Sequence, residues 1–275
     1  MKCNTIRMEY SCANLAVYFQ EASSELKNSI ARPCILVIPG GGYAMRSDRE
    51  AEPIALAFAA RGFQTAVLEY PVAPSRFPES LLCLAEAVAW LRTNAVENNI
   101  NPSQITTCGF SAGGHLAASL GVFWSSGFLS ENLGLDSALF RPNRQILCYP
   151  VISSGKFAHV STFDNLLGED ASAEERERVS LEKFVNSFAP PSFIWHTFDD
   201  QIVPVENSML FADELRKHNV PFELHIYSEG VHGLSLSSDV TMDGDGGSVF
   251  PDNENWLDMA CRWLKRPVKA YIKRK

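Results

Sequence analysis

The 275-residue sequence predicts a single α/β domain, 1–275, with a mostly parallel central sheet and helices on both faces. Three observations predict it. From Cys34 onward, short apolar runs of strand length alternate with longer stretches of helical period. The hydrophobic content of 46% supports one large buried core, and the length does not force a second. Gly109-Phe110-Ser111-Ala112-Gly113 lies between an apolar run and a helix-like stretch, which reads as strand, sharp turn and helix.

Taken in order, Thr5–Tyr10 and Leu15–Gln20 alternate polar and apolar residues around Ser11-Cys12-Ala13-Asn14, the pattern of an opening antiparallel hairpin. Cys34–Ile38 is a buried-strand run. Asp48–Arg61 carries apolar residues at Ile54, Leu56, Ala57, Phe58 and Ala60, and Gly62 stands where that helix should stop. Gln64–Glu69 is the next strand, and Pro71 through Pro78 is a proline-punctuated loop. Glu79–Val96 has helical period through Leu82, Ala85, Val88, Ala89 and Leu91. Ile105–Cys108, the helix after Ser111, and the strands Gln145–Tyr149 and Phe193–Thr197 follow. A helix near Val205–His218, the strand Phe222–Tyr227 and a helix near Asn253–Leu264 close the series. Right-handed crossovers would bring the C-terminal ends of these strands to one edge.

Between Val151 and Pro190 the rhythm breaks. This insertion, about 151–190, is expected to form a partial lid over that edge. Its charged run, Glu174-Glu175-Arg176-Glu177-Arg178, reads as a solvated helix face. The sequence has no internal repeat and no low-complexity segment.

A net charge of −8 and a pI near 5.3 argue against nucleic acid or an anionic membrane as partner. The basic end, Lys265-Arg266 and Lys269 through Lys273-Arg274-Lys275, is expected to be a solvated tail. No apolar run reaches bilayer-spanning length and the N-terminus lacks a signal-peptide core, so the expected location is the cytoplasm. Seven cysteines, at 3, 12, 34, 83, 108, 148 and 261, are odd in number and show no Cys-x-x-Cys spacing. That usage fits a reducing compartment and no metal site, and no cysteine has an activating signature beside it. Nothing in the sequence specifies an oligomeric state.

A serine on a strand-to-helix turn is exposed and strained, and the first N–H groups of the helix face whatever its hydroxyl attacks. Upstream, Cys34–Ile38 runs into Pro39-Gly40-Gly41-Gly42-Tyr43, a glycine cluster able to present bare N–H groups to an oxyanion. A phosphate loop would end in Gly-Lys-Ser/Thr, whereas Tyr43-Ala44 follows here. Acyl transfer is therefore the expected chemistry.

Such a serine needs a base and an acid to orient it. His115, His159, His196, His218 and His225 each have a packing or surface explanation by position. His232, in Glu229-Gly230-Val231-His232-Gly233, lies just past the Phe222–Tyr227 strand and comes last in the chain, as the base does in the order Ser, acid, His. For the acid, Phe198-Asp199-Asp200-Gln201-Ile202-Val203-Pro204 follows the preceding strand. Asp200 is preferred because its distance from Val203-Pro204 matches the Asp-x-x-Val-Pro segment of many serine hydrolases. Asp199 is its rival, and helix capping is the alternative role for either.

With these pieces in place the chain resembles the α/β-hydrolase superfamily over nearly its whole length. The segments Ile38–Tyr43, Gly109–His115, Trp195 through Pro204 and Val231–Gly233 look like the small esterases called acetylxylan-esterase-like. The resemblance implies Ser111 as nucleophile, Asp200 as acid and His232 as base, with oxyanion donors from the backbone N–H groups of Ala112 and of Gly41 or Gly42, and no cofactor. Pro39 stands where many lipase-like relatives have histidine, which argues against the hormone-sensitive-lipase type.

The implied substrate is a small-molecule ester with an acetyl or other short acyl group, on sugars such as xylo-oligosaccharides. Tyr43, Tyr70, Phe77 and Trp124 are candidate substrate surfaces or, alternatively, core. An arylformamidase, another amide or lactone hydrolase, or a non-catalytic binding protein on the same fold are the competing readings. Asp243-Gly244-Asp245-Gly246-Gly247 does not make a calcium loop, because Gly247 and Ser248 replace the required acid and glycine.

Overall fold

The computed structural model describes residues 1–11, 13–27 and 29–267, so Cys12 and the basic end from Lys269 to Lys275 lie outside the described residues. Its strands are β1 (Lys2–Arg7), β2 (Asn14–Phe19), β3 (Arg32–Ile38), β4 (Gln64–Glu69), β5 (Ile100–Phe110), β6 (Arg144–Cys148), β7 (Ser192–Thr197) and β8 (Phe222–Tyr227). They form one sheet in the order β1-β2-β4-β3-β5-β6-β7-β8. The hairpin pairs Arg7 with Asn14, β2 runs antiparallel to β4, and the remaining pairings are parallel.

The helices are α1 (Glu52–Ala59), α2 (Glu79–Thr93), α3 (Ala112–Phe123), α4 (Gly127–Leu133), α5 (Ser137–Phe140), α6 (Val160–Leu167), α7 (Ala173–Glu177), α8 (Glu206–Lys217) and α9 (Trp256–Lys265). Where the sequence suggested one helix over Asp48–Arg61, a 3-10 turn, Asp48–Glu50, precedes α1. Pro53 explains the division, since it has no N–H to continue a preceding helix and suits a first turn. Gly62, with φ +93, ends the segment as expected. The short helices α4 and α5 were not anticipated, because neither is long enough to establish a period.

Alternation along the central strands divides the core in two. Cys34, Leu36 and Ile38 point with Leu84 and Val88 of α2, Leu116 and Leu120 of α3 and Phe211 of α8 into one layer. Ile35 and Val37 point with Ile54 and Phe58 of α1 and Trp256 and Leu257 of α9 into the other. Each fully buried large apolar side chain contributes about 1.5–3 kcal/mol. A one-residue slip of β3 would exchange the two sets of side chains, so the register is strongly held.

The strand ends meet along one edge, as the crossover rule requires. Ser111 follows β5, the Asp199-Asp200 turn follows β7, the His232 loop follows β8, and the glycine loop follows β3. The insertion folds as α6, α7 and a 3-10 turn at Leu181–Lys183. The charged run lies on α7, which has no buried residue and begins with a Ser172/Glu175 capping box.

Candidate active site

Ser111 has φ +51 and ψ −118, a strained conformation for a residue with a side chain. Neighbouring backbone holds it there. Its N–H donates to the Cys148 carbonyl at 3.0 Å, and its own carbonyl accepts the N–H groups of His115 and Val151, each at 3.1 Å. The turn also needs its glycines. A Cβ on Gly109 would lie 2.2 Å from the Gly113 carbonyl oxygen, and one on Gly113 would lie 2.1 Å from that of Ile38.

Ser111 Oγ lies 2.8 Å from Nε2 of His232, and Nδ1 of the same ring lies 2.6 Å from Oδ2 of Asp200. The carboxylate fixes the tautomer: Nδ1–H donates to Asp200, which leaves the Nε2 lone pair to accept the serine O–H. Asp200 Oδ1 accepts the N–H groups of Ile202 and Val203, each at 2.9 Å. Thus the Asp-x-x-Val spacing is a turn closed by the acid itself, and neither aspartate caps α8.

His196 completes the shell of Asp200. Its Nε2 lies 2.9 Å from the Val203 carbonyl and 3.3 Å from Asp200 Oδ2, so Nε2 carries the proton and Nδ1 accepts the Ser208 hydroxyl at 2.8 Å. Burial pushes Asp200 toward a higher pKa. Hydrogen bonds from His196 and His232 outweigh that and hold it well below the usual carboxylate range. Asp199 is exposed, and its Oδ1 accepts the Gly230 N–H at 2.8 Å, which braces the His232 loop without touching the ring.

In the glycine loop the carbonyls are all tied down. Pro39 accepts from the Tyr70 hydroxyl at 2.7 Å, Gly40 from Ser47 N–H at 3.0 Å, and Gly41 from Ala44 N–H at 3.0 Å. Gly42 accepts from the Asn165 amide at 2.9 Å and Tyr43 from Ala73 N–H at 2.7 Å. Peptide planes held by their carbonyls have fixed N–H directions, and among the described residues no acceptor takes the N–H of Gly41, Gly42 or Ala112. Ala112 directly follows the serine, and Gly40, which precedes the other two, packs against it. A Cβ on Gly40 would lie 2.9 Å from that of Ser111.

Tyr43 corrects the expectation of a substrate surface. It is 2% exposed, and its hydroxyl donates to Nδ1 of His115 at 2.9 Å, while His115 Nε2–H donates to the Val179 carbonyl at 2.9 Å. Burial lowers the His115 pKa to about 4, so the ring is a neutral staple joining glycine loop, α3 and insertion. Tyr70 and Trp124 are buried as well, and Phe77 packs against the same core. Buried thiols are no rival nucleophiles, since burial pushes Cys83 and Cys261 up to about 11, Cys34 up further, and Cys148 well above the usual thiol range.

Three residues near the serine carried no local signal in the sequence. Asn165 reaches the glycine loop from α6. Glu50 is buried beneath that loop, and Tyr149, at the end of β6, presents its ring to His232 with centroids 5.1 Å apart. His159, at the start of α6, is part-buried; burial first, then the field of His232, lowers its pKa. The insertion therefore packs onto the site.

A mostly parallel eight-stranded sheet, a strained serine at a strand-to-helix turn and a Ser–His–Asp line at the strand ends define an α/β-hydrolase. The chain belongs to the BD-FAE family, a family of that class, whose model matches residues 21–215. It is 37% identical over 227 residues to endo-1,4-beta-xylanase B of Butyrivibrio fibrisolvens, covering 81% of this chain and 36% of that protein. It is 27% identical over 237 residues to an acetylxylan esterase of Xylanibacter ruminicola, covering 84% of this chain and 45% of that protein. The chain thus spans less than half of either relative. Among solved structures, the acetyl ester-xyloside bifunctional hydrolase from Caldicellulosiruptor lactoaceticus superposes with a TM-score of 0.81 at 39% identity. That match covers 92% of this chain and 88% of the other.

Proposed function

We propose that this chain is a serine esterase that hydrolyses short-chain acyl esters, chiefly acetyl, on carbohydrate such as xylo-oligosaccharides. The chemistry rests on one geometric fact, the unbroken line from Ser111 Oγ through the His232 ring to Asp200, at 2.8 and 2.6 Å. In the proposed reaction, Oγ attacks the ester carbonyl as its proton passes to Nε2 of His232. Asp200 stabilises the resulting imidazolium, and the N–H groups of Ala112 and of Gly41 or Gly42 receive the oxyanion. His232 then protonates the departing alcohol. Water attacks the acyl-Ser111 ester and gives its proton to His232, which passes it to Ser111 Oγ as the Oγ–acyl bond breaks, so the acid is released and the serine regenerated.

The substrate reading rests on relatives named acetylxylan esterase and acetyl ester-xyloside hydrolase. We place the reaction in the cytoplasm on cysteine usage, because Cys34, Cys83, Cys108, Cys148 and Cys261 are buried free thiols. Ser111→Ala tests the chemistry. The purified variant should keep its fold, lose p-nitrophenyl acetate hydrolysis by about 10³-fold or more, and escape labelling by a fluorophosphonate. Wild-type turnover in that variant would end the proposal. Rates on acetylated xylo-oligosaccharide, N-formylkynurenine and acyl chains of increasing length test the substrate, and preference for the formamide would move it to an arylformamidase.

A further inference from the structure

We propose that Glu50 is a positioning residue: one buried carboxylate that ties the glycine loop to the His232 loop and sets a second negative charge behind the imidazole. The proposal rests on the Ser111–His232–Asp200 reading above. Glu50 is 3% exposed. Its Oε2 accepts the Gly40 N–H at 2.8 Å, directly before the Gly41 and Gly42 donors. Its Oε1 accepts the Tyr149 hydroxyl at 2.6 Å, and that hydroxyl oxygen accepts the Ser235 N–H at 2.9 Å, three residues past His232. Above this junction the Tyr149 ring meets the His232 ring edge-on, 5.1 Å between centroids and 71° between planes.

Packing alone does not require an acid here. A buried carboxylate costs several kcal/mol unless its lone pairs are met, and an amide or apolar side chain of similar volume would fill the space at lower cost. The local geometry is nevertheless that of a carboxylate, with one donor aimed at each oxygen and a Cβ on Gly40 blocked at 2.7 Å by Oε2 itself. Burial raises the Glu50 pKa, while Tyr149, Gly40 and the field of His232 oppose the rise. That last interaction is mutual, so an ionised Glu50 also favours the imidazolium that forms when the serine gives up its proton. The other groups facing His232 are Asp200 at Nδ1, Tyr149 below, and His159 from the insertion, with Asp199 on Gly230 of its loop and Arg49 beside Glu50.

The test measures kcat, KM and the pH profile of kcat/KM on p-nitrophenyl acetate for wild type, Glu50→Gln, Tyr149→Phe, the double variant and Ser111→Ala. Glu50→Gln should lose kcat about tenfold with KM within about twofold, and its acid limb should move to lower pH. The direction follows from removing a negative charge that favours protonation of the base. Tyr149→Phe cuts the bridge and keeps the charge, so it should lose kcat with little movement of the limb. The double variant should lose less than the product of the two single losses, because both act through one junction. Thermal melts keep the result readable: a folded Glu50→Gln with wild-type kcat and an unmoved limb overturns the proposal. So does a double variant whose losses multiply. If Glu50→Gln does not fold, Tyr149→Phe with wild-type kcat overturns it alone. Wild-type activity in Ser111→Ala would instead remove the triad reading and this one with it.

Discussion

The side-chain amide of Asn165 donates to the Gly42 carbonyl at 2.9 Å, so helix α6 of the insertion and the glycine loop after β3 are one unit. That bond fixes the Gly42–Tyr43 peptide plane, and the Gly41 and Gly42 N–H groups depend on planes held in this way. Asn165→Ala should lower kcat about three- to tenfold with little change in KM, the scale of one hydrogen bond of about 1 kcal/mol. Steady-state kinetics on p-nitrophenyl acetate check it. A raised KM with unchanged kcat would mean that Asn165 serves binding instead.

The two aspartates should separate cleanly. Asp200→Asn removes the charge at His232 Nδ1 and disturbs the tautomer, so kcat should fall about 10³- to 10⁴-fold while the fold persists. Asp199→Asn weakens one bond to Gly230 N–H and should keep kcat within a few-fold, with a loss of about 1 kcal/mol in stability. Parallel kinetics and urea titrations measure both. Equal kinetic losses would return Asp199 to candidacy as the acid.

His115 should make stability depend on acid. Its folded pKa, about 4, lies below the ordinary 6.5, so between those values the unfolded chain binds a proton that the folded chain refuses. The contribution is complete above pH 6.5 and is lost as pH falls toward 4, at most roughly 3 kcal/mol. His115→Gln should be less stable at pH 7, through Tyr43 and Val179, yet show a shallower decline toward pH 4.5. Urea midpoints across that range test the slope, and identical slopes would exclude His115 as its source.

Gly113→Ala should not yield native protein, or should lose more than about 3 kcal/mol, because its Cβ meets backbone carbonyl oxygens of Ile38 at 2.1 Å and Pro39 at 2.4 Å. Gly134→Ala is the control. Nothing lies within 4 Å of that Cβ, and only its φ of +64 is unfavourable, so it should cost about 1 kcal/mol. Soluble yield and melting temperature distinguish them.

Local chemistry made most of the frame readable in the sequence. Gln64–Glu69 and Phe222–Tyr227 coincide with β4 and β8, since a short apolar core in the first and an apolar/polar alternation in the second, each bounded by turn residues, have few other ways to fold. The convergence of Ser111, Asp200 and His232 was legible for the same reason: each sits on a short turn after a strand, and parallel strands must open their ends along one edge. Asp200 could be preferred to Asp199 on its spacing to Val203-Pro204, which the structure shows to be a turn closed by the Asp200 carboxylate.

Tertiary structure alone decided the rest. Tyr43 looked available as a substrate surface, and His115, 72 positions away, draws it into the core. Glu50 reaches Tyr149 across 99 positions, and Asn165 reaches Gly42 across 123. No periodicity or spacing encodes such a pairing, because a side chain's partner at that separation depends on where the whole sheet and its crossovers have already placed the backbone. The proposed reacting groups follow from turns that the sequence writes locally, and the shell that holds them follows only from packing.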